Sequence, residues 1–308
     1  MERRMEIAFF TEMGFQGKIS RTHTNMRTEF AWMCALDADH YNINQIPIKK
    51  YDLGIVIIPK KNPDFNIDSL RLSCNKIAVM QEGPCWYFQD YDLSKQIWYY
   101  NTLTTADIIF VHNESDKKYY QGLTNHRNVR LMPSLMIEES IGQLLDVERK
   151  DVIIGGNFVS WYGGFDSYII AQEISETVYA PSMGRKQPNE EQLLIHLPYM
   201  EWQQWIHSLN KFKYGIHLMR THAAGTFALN CAYLGIPCIG YKGLDTQEIL
   251  HPDLSVDIGD LTMARNIAKN LRNDEDFYLY YSNKCKELYQ THYTEQKFKD
   301  QFYEHSII

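Results

Sequence analysis

The sequence predicts an α/β protein made of two doubly wound, parallel-sheet domains that face one another across a cleft. Three observations carry this. Short apolar runs alternate with stretches of helical periodicity along nearly the whole chain. Most of these runs are continuous rather than alternating, as strands buried on both faces of a parallel sheet must be. The pattern pauses at a polar stretch around 137–150 and then starts again.

The elements follow in order. Glu6–Phe10 reads as a buried strand that ends in a glycine-containing loop, Thr11 to Lys18. In Asn25–Ala38 the residues Met26, Phe30, Met33 and Leu36 recur at helical steps. Ile43–Ile48 reads as a strand, confined to a sheet edge by Pro47. Leu53–Pro59, Lys76–Met80, Asp107–Val111 and Val129–Met132 are further strands, with helices over Ser94–Thr104 and Ser115–Gly122. Ile137–Lys150 is polar and helix-like, with Ser140-x-x-Gln143 as a capping box. The domain boundary is placed there, giving domains 1–145 and 146–290.

The second unit begins with strand Asp151–Ile154, closed by Gly155-Gly156-Asn157. Helix Asp166–Glu176 leads to strand Thr177–Ala180, and Asn189–Gln192 has the form of a helix start. Helix Glu201–Leu209, strand Tyr214–Leu218, helix Gly225–Leu234 and strand Pro237–Gly240 come next, and Asp245-x-x-Glu248 opens another helix. Leu261–Arg272, Asp276–Tyr289 and the amphipathic Glu295–His305 complete the chain, which leaves 291–308 as a C-terminal helical segment.

Composition narrows the function. Hydrophobic residues make up 44% and charged residues 22%, which excludes disorder as the main state. No apolar run approaches the roughly 18 residues of a membrane span, and Met5–Phe10 is too short and interrupted for a signal-peptide core. A cytoplasmic location is expected. Net charge is −7, which disfavours a strongly basic nucleic-acid-binding domain. The imbalance lies in the second half, where 13 Lys and Arg face 19 Asp and Glu, against 18 and 19 in residues 1–150. The six cysteines contain no C-x-x-C pair, so buried free thiols fit better than a zinc site or a disulfide framework.

In doubly wound sheets, ligands bind beyond the carboxyl ends of the strands. Three loops there invite an anion. Gly14-x-x-Gly17-Lys18 follows the first strand and is either an ordinary βα turn or a cradle of backbone N–H groups. Gly156 and Asn157 belong to the corresponding loop of the second unit, where glycines allow close approach of a phosphate. His222-Ala-Ala-Gly225-Thr226-Phe227 opens a helix whose free N–H groups can hold a diphosphate, with Arg220 and His222 as partners. Asn230 lies one turn further on, within reach of a ribose hydroxyl; as a purely structural residue it is a buried amide.

The run from Tyr214 to Tyr241 resembles the nucleotide-sugar-binding half of GT-B glycosyltransferases, a family of two Rossmann-like domains. Gly235-Ile236-Pro237 matches that family's Gly-x-Pro strand start. The two glutamates of the family's preceding motif fall on His222 and Asn230, so Asn230 offers an uncharged acceptor where relatives offer a carboxylate to the donor ribose. Asp245–Glu248, Pro252, Val256-Asp257 and Asn266–Leu271 look like the elements that follow. Phe9–Lys18 and Asp107–Val111 with His112-Asn113-Glu114-Ser115 fit the first half.

This resemblance implies a hexosyl- or pentosyltransferase that uses a nucleoside diphosphate sugar, UDP-linked, as co-substrate, with no metal or other cofactor. It implies that the first domain binds the acceptor and that the final helix crosses back to it. The family's acceptor base comes from first-domain strand ends, which singles out Glu82 after Met80 and, second, Glu12 after the first strand. Asn25–Trp32 also looks like the first helix of bacteriophage glycosyltransferases, some of which modify hydroxymethylated pyrimidines in DNA. DNA is thus one candidate acceptor, and the host cytoplasm the corresponding location. Glycan and lipid-linked acceptors stand beside it. Trp86, Tyr87, Phe88, Trp98, Tyr99 and Tyr100 form either an acceptor-side stacking surface or plain core. A two-lobed ligand-binding protein and a sugar-nucleotide epimerase share the architecture and are the rival functions.

Overall fold

A computed structural model describes residues 5–12, 16–60, 65–81, 83–125, 128–156, 158, 161–181 and 189–306. The strands are β1 (Ile7–Thr11), β2 (Asp39–Asn42), β3 (Tyr51–Ile57), β4 (Cys74–Met80), β5 (Ile108–Val111), β6 (Val129–Leu131), β7 (Lys150–Ile154), β8 (Val178–Pro181), β9 (Ile195–Leu197), β10 (Phe212–His217), β11 (Cys238–Tyr241) and β12 (Ser255–Val256). The helices are α1 (Thr28–Leu36), α2 (Leu93–Thr105), α3 (Glu114–Thr124), α4 (Glu138–Ile141), α5 (Gly164–Ala171), α6 (Trp202–Leu209), α7 (Thr226–Leu234), α8 (Asp245–Leu250), α9 (Leu261–Asn273), α10 (Glu275–His292) and α11 (Glu295–Ser306).

The strands form two six-stranded sheets, in the orders β2-β1-β3-β4-β5-β6 and β12-β11-β10-β7-β8-β9. Every pairing is parallel. All strands of a sheet therefore end on one side. The continuous apolar runs have the predicted cause. In β4, Ala78 packs with Ile55 and Phe110 on one face while Ile77 and Val79 pack with Val56 and Ile109 on the other. Helices cover both faces, and their N-termini are fixed by local chemistry: Asp92, Asp260 and Asp274 each cap a helix by accepting from a backbone N–H three residues on.

The last helix lies on the first sheet's layer. The Trp32 ring of α1 meets Phe298 at 5.3 Å, Phe110 meets Phe302 at 5.9 Å, and Gln301 donates to the Leu131 carbonyl. Phe298 and Phe302 are at most 1% exposed, so each contributes about 2–3 kcal/mol by burial. Arg21 adds a bidentate pair with Glu139 and a second with Glu295, joining the segment before α1 to α4 and α11.

Three expectations need correction. The edge strand is Asp39–Asn42, not Ile43–Ile48: polar β2 is held by a buried His40–Thr11 contact of 2.7 Å and by Asp39 bonds to Lys49 and Tyr51. Ile48 is 99% exposed, so its apolar character signalled nothing about a sheet. The helix expected over Ile137–Lys150 is limited to α4, because Gly142 leaves the helix at φ +70°. Ser140 is no cap either; its hydroxyl donates back to the Ile137 carbonyl. Short strand β9 was not anticipated.

Candidate functional site

The two sheets present their carboxyl ends to each other, and the loops there are tied together across the cleft. Asn113, at the N-cap of α3, donates to the Ala223 carbonyl at 2.7 Å and accepts from the Asp245 backbone N–H at 3.0 Å. The Asp245 carboxylate in turn accepts from Glu114 N at 3.2 Å. Two helix N-termini, α3 and α8, are thereby capped reciprocally from opposite domains. Ser134 donates to the Ala224 carbonyl at 2.6 Å, and Ser115 meets His222 Nδ1 at 2.6 Å. The loop ahead of α7 is thus fixed from the first domain at three successive residues, 222–224.

That loop leads to the densest part of the site. Gly225, the N-cap of α7, takes the left-handed conformation at φ +66°, while Thr246 donates to its carbonyl at 2.9 Å. The first-turn N–H groups of α7, which start at Thr226, have no intrahelical acceptor and carry the positive end of the helix dipole. Phe227 turns inward and packs against Gly155, where an added Cβ would lie 2.6 Å from Phe227 Cδ1 and 2.7 Å from His217 Cγ. At Gly156 a Cβ would meet the Tyr162 carbonyl at 2.5 Å. The two glycines let the loop lie close on its neighbours. Asn230 is 3% exposed, one turn into α7. Asn157 lies outside the described residues.

The cations near this centre are already partnered. Arg220 is more than half exposed and pairs with Asp166 at 2.9 Å, and Tyr241 donates to the same carboxylate oxygen. The paired Asp166 holds the Arg220 guanidinium pKa above its ordinary value. His222 Nδ1 is engaged by Ser115 of the first domain.

The first-domain loop is built differently. Gly17 exchanges two backbone hydrogen bonds with His40, which folds the loop back on the edge strand β2. Lys18 donates to the Asp37 carbonyl at 2.7 Å and pairs with the Asp37 and Asp39 carboxylates. Glu12 accepts from the Lys60 N–H at 3.0 Å. Glu82 lies outside the described residues. Of the aromatic cluster, Phe88 and Tyr99 stack at 4.3 Å in the core. Trp86 instead reaches across to Trp161 of the second domain, ring centres 6.4 Å apart. Arg27 spans the domains too: it donates to the Met200 carbonyl at 3.1 Å beside the Tyr199 ring.

Two pKa shifts bear on this region. Burial, reinforced by Glu114, Glu248 and Asp116, pushes the Asp245 carboxyl up to about 6 against the Glu114 N–H bond that lowers it. Burial pulls the His217 imidazole down to about 4, so that it is neutral at pH 7. Sequence reasoning reaches Asn113 and Ser115 only through a family likeness and Asp245 only through that and a helix start, and it passes over Ser134 and His217 altogether. The first four act between segments far apart in sequence, and His217 sits inside an apolar run that reads as strand. Among the described residues, no group of three or more His, Cys, Asp or Glu side chains is placed to hold a metal ion. Nor is any of their helices long and apolar enough to cross a membrane.

No protein-family model matches the chain, and no curated protein matches it in sequence. Solved structures match it in fold. Sucrose-phosphate synthase from Thermosynechococcus elongatus aligns over 98% of both chains with a TM-score of 0.71 at 10% identity. HepE from Anabaena, in complex with UDP and glucose, aligns over 97% of this chain and 98% of its own, with a TM-score of 0.66 at 9% identity. TarM from S. aureus, in complex with UDP among other ligands, aligns over 82% of this chain at a TM-score of 0.61 and 9% identity. The present chain covers 55% of TarM's length. At such identities the likeness establishes architecture, and the architecture is GT-B: two parallel α/β domains with their strand ends opposed.

Proposed function

We propose that this chain is a glycosyltransferase that moves a sugar from a nucleoside diphosphate sugar, of the UDP class, to an acceptor hydroxyl. The observation that carries the reading is the convergence of the Gly155–Gly156 loop with the amino end of α7 at the cleft, the α7 loop being held there by Asn113, Ser115 and Ser134. A diphosphate needs N–H donors and a positive potential that persist as charge builds on the leaving group. The first-turn amides of α7 supply both. Arg220, more than half exposed, can turn from Asp166 to the diphosphate. Asn230, buried one turn into α7, is the proposed acceptor for a ribose hydroxyl. The HepE structures, which hold UDP with glucose or UDP-glucose, support a UDP-sugar as the donor.

The acceptor side belongs to the first domain in this reading, with domain 1–145 facing donor domain 146–290. Glu82 is the proposed acceptor base, on its sequence position after β4. Glu12 is the weaker choice, since its carboxylate already serves the Lys60 N–H. Gly17 and Lys18 are the weaker part of the proposed donor set, because both are bonded within their own domain. The DNA acceptor suggested by the α1 sequence gains no support from the structural neighbours. A glycan, lipid-linked or small-molecule hydroxyl fits the reading equally.

The test is calorimetry with UDP followed by a transfer assay with a panel of UDP-sugars and hydroxyl acceptors, hydroxymethylpyrimidine DNA included. UDP binding with release of UDP from one donor is the expected result. Binding without turnover on any acceptor would turn the reading into a two-lobed binding protein, and an isomerised sugar would turn it into an epimerase. Absence of any nucleotide binding would remove it.

A further inference from the structure

His217 ends β10 directly below the Gly155–Gly156 loop and is 6% exposed. Both of its ring nitrogens are buried without a hydrogen-bond partner. Among the described histidines it alone has both ring nitrogens in that state. His251 shows what the fold does with an equally buried imidazole that is only structural. Its Nδ1 accepts from Cys238 N at 3.4 Å and its Nε2 faces the Ala228 carbonyl at 3.1 Å. Buried polar groups are nearly always paired, so two orphaned nitrogens in one ring call for a missing partner.

The surroundings describe that partner. No carboxylate bonds the ring, and burial alone pulls its pKa down to about 4. At pH 7 it therefore has one N–H to give and one lone pair to fill. A phosphate oxygen can only accept, whereas a hydroxyl can do both. The walls are aromatic. Tyr162 lies over the ring at 6.5 Å with planes 26° apart, and Phe227 meets it edge-on at 5.4 Å. Apolar faces with one two-way polar group suit a sugar ring better than a phosphate. The missing side chain at Gly155, whose Cβ would lie 2.7 Å from His217 Cγ, keeps the imidazole close beneath the loop proposed to hold the diphosphate.

We propose that His217 is a sugar-reading residue: its imidazole hydrogen-bonds a hydroxyl of the donor's sugar, reached when the Tyr162 ring turns aside. This rests on the glycosyltransferase reading and adds a selectivity determinant to it. UDP itself, which lacks the transferred sugar, should be indifferent to His217.

The experiment compares the full chain with His217→Phe and His217→Asn, measuring UDP affinity by calorimetry. It also measures kcat/KM with UDP-glucose, UDP-galactose, UDP-xylose and UDP-N-acetylglucosamine. The expected pattern is UDP affinity within about twofold of the parent, with kcat/KM for the preferred donor down by about tenfold or more in the Phe variant. Preference among donors should narrow accordingly, and the Asn variant should recover part of the loss. Unchanged donor preference in the Phe variant would overturn the proposal. So would a fall in UDP affinity as large as the fall in kcat/KM, which marks a packing role. If the Phe variant does not fold, imidazole ¹⁵N shifts of the parent decide. His217 should respond to a UDP-sugar and not to UDP, and equal response or none overturns the assignment. A parent chain that binds no UDP at all fails at the earlier step and removes both readings, whereas a parent that transfers sugar with His217 indifferent removes only this one.

Discussion

Two glycine loops follow the first strand of each sheet, and from sequence they invite the same interpretation. The structure separates them by the reason each needs glycine. At Gly17 the requirement is conformational: φ is +90°, and an added Cβ would meet nothing within 4 Å. The residue serves a turn that pairs with β2, and its neighbour Lys18 is bonded to Asp37 and Asp39. At Gly155 the requirement is space, since Phe227 and His217 occupy the volume a side chain would take. One loop turns its backbone onto its own domain. The other is packed against the amino end of α7 at the cleft. Glycine after a strand therefore signals a possible ligand approach only where the space above it is contested by other groups of the site.

The sharpest way to break this comparison is to give each loop one methyl group. Gly155→Ala forces Phe227 and His217 apart in a close-packed setting, at a cost of about 1–3 kcal/mol. Displacement of the α7 first turn should weaken UDP binding by about tenfold or more. Gly17→Ala strains only its own backbone, at about 1 kcal/mol, and UDP affinity should stay within about twofold. Thermal unfolding and calorimetry on the two variants read both quantities. Equal losses of UDP affinity would mean that the first-domain loop also touches the donor.

Arg220→Ala comes next in size. Arg220 is the exposed cation at the α7 side, paired singly through Asp166. If it turns to the diphosphate, its loss should lower kcat/KM by about tenfold with little effect on stability. A stability loss without a kinetic one would mark it as a structural partner of Asp166 and Tyr241.

The same contrast shows how much was legible in the sequence. Strands β3, β4, β5 and β10 were readable because burial on both faces leaves continuous apolar runs. Strand β2 was not, since Asp39, His40 and Asn42 belong to it through polar bonds that have no sequence period, while nearby Ile46 and Ile48 are exposed. Three-residue β9, half-exposed at an edge and followed by Pro198, leaves no run to see. At the site, the glycines and the α7 start were visible as residue types. What each glycine faces, and the clasp of Asn113, Ser134 and Asp245, depend on segments about a hundred residues apart in sequence.

That clasp has its own pH signature. The Asp245 carboxyl titrates at about 6 in the folded chain against an ordinary 3.8. A raised folded value means that the protonated form is favoured on folding. Its contribution is complete below about pH 4 and is lost as pH rises through about 6. Asp245→Asn keeps an acceptor for Glu114 N and removes the charge. It should be more stable than the parent at pH 7 by about 1–2 kcal/mol, after a discount for partial exposure. The gap should close towards pH 4, as denaturation at pH 4, 5, 6 and 7 can show. A gap independent of pH would place the benefit elsewhere than the charge.

The smallest effect tests the quiet side of the comparison. Lys18 is half exposed, and its bonds to Asp37 and Asp39 are surface ion pairs of the kind that contribute about 0–1 kcal/mol. Lys18→Ala should shift stability by no more than that, and the shift should fade in 1 M salt, where the screening length is about 3 Å. UDP affinity should not move at all, because the ammonium is engaged by Asp37 and Asp39. A fall in affinity that salt enlarges or abolishes would show that the first loop sends its charge to the ligand after all. The two glycine loops would then act as one site, and the distinction drawn from their packing would fail.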